Sequence, residues 1–167
     1  MKTYSIDPSM LSLEEFKKLT AVKSMLPARP FPLSDFPGIP FEYTVLLKSR
    51  GIRNTKDFFE KVQSGEQQKD LSLSTGIPEY RLKELYSLCD LSRITGVGAI
   101  FARVVYEAGI RSTGDFASTE IAGLLKSCRA VIEKHGYAAG KPGEKDIQSG
   151  IDYASVIIKC DQKTDNI

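Results

Sequence analysis

Residues 94–116 read ITGVGAIFARVVYEAGIRSTGDF. Laid without a gap over residues 36–58, FPGIPFEYTVLLKSRGIRNTKDF, they keep seven identities. These are Gly38/Gly96, Gly51/Gly109, Ile52/Ile110, Arg53/Arg111, Thr55/Thr113, Asp57/Asp115 and Phe58/Phe116. Ile39/Val97, Tyr43/Phe101, Leu46/Val104 and Leu47/Val105 match in kind. Chance gives about one or two identities over such a window, so the match reads as an internal repeat. The first glycine of each copy permits a tight turn with positive φ, and a helix follows with Tyr43, Leu46 and Leu47, or Phe101, Val104 and Val105, as its apolar face. Gly51 and Gly109 stand where a left-handed C-cap belongs, and the following Ile folds back on the helix just ended. Thr55 and Thr113 are expected to cap the next helix, with Asp57 and Asp115 in its first turn, where the dipole favours an anion.

Outward from the repeat the chain stays helical. Thr75 to Tyr80 restarts the Gly-Ile-Pro of residues 38–40 and opens a helix over Glu79 to Leu88, with Leu82, Leu85 and Leu88, and Tyr80 as an alternative first member, on its apolar stripe. Ser118 is expected to cap a helix from Ile121 to Lys134 that ends at Gly136. Tyr137 to Gly143 reads as a loop, Glu144 to Lys159 as a last helix, and Asp161 to Ile167 as a frayed tail. At the other end, Ser12 and Glu15 have the form of a capping box before a helix from Leu13 to Met25. Five of the eight prolines then fall between Pro27 and Pro40, which marks an extended connector. The expectation is an all-α chain of about eight helices. Residues 1–35 form an N-terminal helix and connector, 36–90 a first, degenerate unit, 91–136 a second unit, and 137–167 a loop, helix and tail, packed as one domain.

Composition removes several function classes. The 167 residues carry 23 Lys and Arg against 21 Asp and Glu, a formal charge of +2 that argues against a strongly basic nucleic-acid surface while leaving room for a local patch. Cys89, Cys128 and Cys160 have no C-x-x-C spacing, cannot pair completely, and read as buried small hydrophobes in a reducing compartment. No run approaches the length needed to span a bilayer and the start has no signal-peptide core, so a cytoplasmic protein without a membrane partner is expected. With His135 as the single histidine there is no Ser/His/Asp or Cys/His constellation, and no phosphate loop ends in Lys-Ser/Thr. No Lys occurs in residues 94–116 to serve there as a nucleophile. A non-enzyme with no cofactor and no metal is expected.

Residues 91–117 resemble the helix-hairpin-helix motif, in which a Gly-hydrophobic-Gly hairpin joins two packed helices. The longer context is similar to an uncharacterised bacterial and archaeal family built from such motifs, domain of unknown function 4332. Its R-I-x-G-V-G hairpin, A-G-I turn and F-A helix start are matched at Arg93, Ile94, Gly96, Val97, Gly98, Ala108, Gly109, Ile110, Phe116 and Ala117. Its closing amphipathic helix is similar to Pro142 through Ile158. The resemblance implies tandem helix-hairpin-helix units and carries no established activity. Helix-hairpin-helix modules in general hold DNA without reading its sequence, because hairpin amides and a helix N-terminus converge on one phosphate. For this chain that implies a contact at Arg93, Gly96, Val97, Gly98, Ala99, Arg103 and Arg111, weak and salt-sensitive. Two departures point elsewhere. Gly98 is followed by Ala99, Ile100 and Phe101 instead of Pro-Lys or small hydroxyl residues, and Pro40 and Pro78 replace the second glycine in the other copies. The alternative is a protein-interaction or scaffold module that has lost its phosphate chemistry.

Overall fold

Gly38 and Gly96 turn with φ of 81° and 90°, and Gly51 and Gly109 with φ of 75° and 100°, conformations that residues with a Cβ rarely adopt. The computed structural model describes residues 1–21, 28–137 and 140–166. Among them the regular structure is helical: α1 (Leu13–Ala21), α2 (Phe41–Ser49), α3 (Thr55–Lys61), α4 (Gly65–Thr75), α5 (Glu79–Leu91), α6 (Ala99–Glu107), α7 (Thr113–Ala117), α8 (Ile121–His135) and α9 (Glu144–Asp165). Two short 3-10 turns (Pro8–Met10, Leu33–Asp35) and an isolated bridge between Pro32 and Asn54 complete it. The chain is all-α.

The aligned segments close with aligned bonds. After α2 the Ile52 amide donates to the Leu47 carbonyl (3.0 Å), and after α6 the Ile110 amide donates to Val105 (3.2 Å), so each Gly-Ile turn satisfies a helix-end carbonyl that would otherwise be orphaned. The Asp57 carboxylate accepts the Arg53 amide and the Asp115 carboxylate accepts the Arg111 amide, both at 3.0 Å. The caps fall one residue earlier than expected: Asn54 caps α3 and Ser112 caps α7 through side-chain oxygens. Thr55 and Thr113 are instead buried first residues of those helices, and their hydroxyls bond the chain before the hairpin. Thr55 Oγ1 accepts the Phe31 amide, and Thr113 Oγ1 donates to the Asp90 carbonyl.

Other corrections have equally local causes. Glu120, not Ser118, caps α8, because its carboxylate takes both the Ala122 and Gly123 amides. Helix α4 was not foreseen. Its Ser64-Gln67 capping box starts it, but only Gln68 is buried along it, so no apolar stripe announces it. Leu46, expected on the inner face of α2, is 39 % exposed, and on α5 the stripe begins at buried Leu82 while Tyr80 is exposed. The segment 161–165 continues α9 instead of fraying. It is held by the Arg93–Asp161 pair and by Lys163 Nζ donating to the Met10 carbonyl (2.7 Å). Helix α1 is described to Ala21, and the expected extension to Met25 lies outside the described residues.

The core joins Phe58, Phe59, Leu88, Val105, Phe116 and Ile157, all without solvent exposure. The three cysteines are buried and unpaired. Helix α9 closes over α7 at Gly150, where an added Cβ would meet Phe116 Cε1 at 2.7 Å and Cζ at 2.9 Å. Gly150→Val is therefore expected to cost about 1–3 kcal/mol by overpacking, measured by denaturant unfolding. An unchanged midpoint would mean that α9 does not sit on Phe116 so closely.

The N-terminal strap is built into this core. The Tyr4 hydroxyl pairs with Ser92 Oγ at 2.9 Å, and the Tyr4 amide donates to Glu60. Burial raises the phenols of Tyr4 and Tyr153, and burial with the Asp90 carboxylate nearby pushes Tyr86 up to about 12. A phenol whose folded value exceeds its unfolded value of about 10 contributes stability that is fully present below pH 10 and lost as pH rises through the folded value. Alkaline titration is expected to show these three tyrosines ionising late, together with unfolding. Phenolate absorbance that rises for all seven tyrosines of the chain near the ordinary value, with the fold intact, would contradict it.

Candidate phosphate-contact hairpin

The hairpin between α5 and α6 is anchored from below and open above. Val97 is buried, and its amide donates to the Ile94 carbonyl at 2.9 Å, which fixes the turn on the core. Gly98 caps α6 with extended backbone (φ −78°, ψ −174°) and no side-chain acceptor, while its carbonyl receives the Ala102 amide at 2.8 Å. The amides of Ala99, Ile100 and Phe101 thus point out of a helix N-terminus with no acceptor among the described residues. Gly96 and Gly98 are exposed, and a Cβ added to either would meet nothing within 4 Å. Gly96 needs its glycine for φ of 90°; Gly98 does not, since any residue adopts its backbone. The missing side chain at Gly98 serves openness alone.

The three arginines expected beside this hairpin are placed elsewhere. Arg93 has a side chain 1 % exposed: Nη1 and Nη2 take the Asp161 carboxylate at 3.0 and 2.6 Å, Nη1 also bonds Asp90 at 2.9 Å, and Nε donates to the Tyr4 carbonyl. Its guanidinium lies 4.4 Å from the centroid of the Phe59 ring. Arg103 is likewise inside, donating Nη1 to Glu84 (2.7 Å) and Nε to the Pro37 carbonyl (2.7 Å). Arg111 is exposed but lies past the C-terminal end of α6, stacked 3.7 Å from the centroid of Tyr106, a helix length of about 13 Å from the hairpin. The corrected site is the backbone of Gly96 to Phe101, without a guanidinium in it.

The Pro-substituted turn at Gly38 is exposed, but its carbonyls are taken by arginines of the neighbouring helices. The Gly38 carbonyl accepts Arg81 Nη2 at 2.7 Å, the Pro37 carbonyl accepts Arg103, and Arg103 Nη2 would lie 3.3 Å from a Gly38 Cβ. Arg81 and Arg103 share Glu84, so this hairpin is stitched to α5 and α6 by a buried ion cluster. Sequence reasoning missed Glu84, Asp90 and Asp161, the carboxylates that decide where the arginines go. The Arg81–Glu84 and Asp90–Arg93 spacings of three gave a local signal, and Asp161 gave none.

A family profile described as a domain of unknown function, DUF4332, matches residues 37–156. The chain belongs to this family. The DUF4332 span begins at the first hairpin and stops short of Asp161, so the cage around Arg93 is completed by Tyr4 and Asp161 from outside it. No curated protein and no solved structure matches the chain. Among the described residues no group of His, Cys, Asp and Glu could hold a metal ion, and no helix is long and apolar enough to cross a membrane.

Proposed function

We propose that residues 36–58 and 94–116 are the cores of tandem helix-hairpin-helix units, and that the second is a non-enzymatic module that holds DNA backbone without reading sequence. The aligned turn and cap bonds support the repeat architecture. The open amides from Gly98 to Phe101 carry the binding reading, because a helix N-terminus with no side chain over it is an anion seat of the kind phosphate uses. Contacts of this kind position a duplex and carry no base information. With Arg93 and Arg103 turned inward, few counterions are released, so the salt slope is expected to be only about −1 to −2 in log K against log salt.

Fluorescence anisotropy with two duplexes of unrelated sequence at about 50 and 200 mM salt tests this. Both duplexes are expected to bind alike and weakly, and Gly98→Glu is expected to cut affinity at least tenfold without loss of stability, since the site has room for a side chain. No binding at the lower salt, or binding indifferent to Gly98→Glu, overturns it. The protein-interaction reading draws on a different surface: Phe41, Val45 and Leu46 leave α2 with a largely exposed apolar face.

A further inference from the structure

We infer that the surface around the Gly51 turn docks an acidic segment of a partner protein, with one apolar side chain of that segment seated in the adjoining groove. The inference gives the protein-interaction reading a second surface, apart from Phe41, Val45 and Leu46, with a ligand chemistry, and does not rest on the hairpin. Lys48, Arg50, Arg53, Lys56 and Lys61 are all exposed in a stretch whose only acids, Asp57 and Glu60, are engaged by the Arg53 and Tyr4 amides. None of the five cations forms an ion pair among the described residues. Where the fold needs a cation, at Arg81, Arg93 and Arg103, it supplies a carboxylate.

The second aligned segment acts as an internal control. At the positions matching these five it carries Tyr106, Ala108, Arg111, Gly114 and Thr119, and builds the same Gly-Ile turn and the same carboxylate-to-amide bond. The turn therefore forms without four of the five charges. Arg111 lies on Tyr106, but Lys48 stands where that ring would be, so no such ring lies beneath Arg53.

Beside this patch lies a shallow, open groove of about 400 Å³ whose floor is Ile52, Val62 and Leu71, the first two only 4 % and 3 % exposed, and whose wall on α4 is polar (Gln67, Asp70, Ser74), with Arg50 and Lys61 held over it by bonds to the Ser74 and Gly51 carbonyls at 2.8 Å. An apolar side chain can rest on this floor with its other face in solvent. Asp70 lines the α4 wall. A nucleic-acid backbone would leave the apolar floor uncovered and bring its phosphates against Asp70, whereas a peptide can cover the floor and offer that carboxylate an amide or a cation. The complement is an acidic, apolar-anchored peptide.

A displayed library of random peptides about twelve residues long, selected against the full chain, supplies the probe; the strongest binder is then synthesised and titrated calorimetrically. The expected binders combine several Asp or Glu with a Leu, Ile or Phe, shift the methyl resonances of Ile52, Val62 and Leu71, lose at least tenfold in affinity to the Lys48→Glu/Arg53→Glu variant, and bind Gly98→Glu unchanged. Failure to enrich any peptide, enrichment without acids, or affinity indifferent to the charge reversals overturns the inference. Duplex DNA titrated against both variants separates the readings. If Lys48→Glu/Arg53→Glu abolishes DNA binding and Gly98→Glu does not, the patch is a nucleic-acid surface, and both this inference and the hairpin assignment fail.

Discussion

Arg93→Met is expected to destabilise the fold by about 3–5 kcal/mol, the largest loss of any exchange of a charged residue considered for this chain. Among the described residues the guanidinium is the one cation paired with Asp90 and Asp161, and it also ties down the Tyr4 carbonyl and covers Phe59. Removing it leaves two carboxylates in a poorly solvated site, a cost that far exceeds what an exposed pair would lose. Denaturant unfolding of Arg93→Met, Asp161→Leu and the double variant measures the coupling. The double variant is expected to be more stable than the sum of the single losses predicts, because no unpaired charge remains on the Asp161 side. Additive losses would mean that the two groups do not meet as described.

Phe116→Ala is expected to cost about 3–5 kcal/mol by cavity formation. The ring is fully buried on α7, the short helix packed against α9, and its edge fills the space that glycine leaves at position 150. That contact also makes the effect testable as a pair. Gly150→Val, destabilising by itself, should become neutral or partly restorative beside Phe116→Ala, because the new methyls enter the vacated volume. A double variant as weak as the sum of both losses would contradict the interlocking of α7 and α9.

The helices of the two aligned segments could be read from sequence because their signals are local. Glycine at positive φ, a Gly-Ile turn and an Asp in the next first turn each act within five residues. The caps slipped by one because Asn54-Thr55 and Ser112-Thr113 each offer two capping side chains in a row, and the choice is made by a distant partner, Phe31 or Asp90, that draws the Thr inward. The arginines failed for the same reason on a larger scale. Asp161 is 68 residues from Arg93 and the Pro37 carbonyl is 66 residues from Arg103, and no periodicity reports such pairings. What sequence did locate is the turn between α5 and α6 at Gly96 and the start of α6 at Ala99. Its openness, with Gly96 and Gly98 exposed, is decided by the packing of the rest of the chain, which no local signal reports.

The most direct test of the DNA-backbone reading is an amide-resolved NMR titration of the uniformly ¹⁵N-labelled chain with a short duplex at low salt. The account predicts that the largest shifts fall on the amides of Gly96, Gly98, Ala99, Ile100 and Phe101, and that they vanish in Gly98→Glu. Shifts confined to Lys48 through Arg53, or no shifts at all, would contradict it.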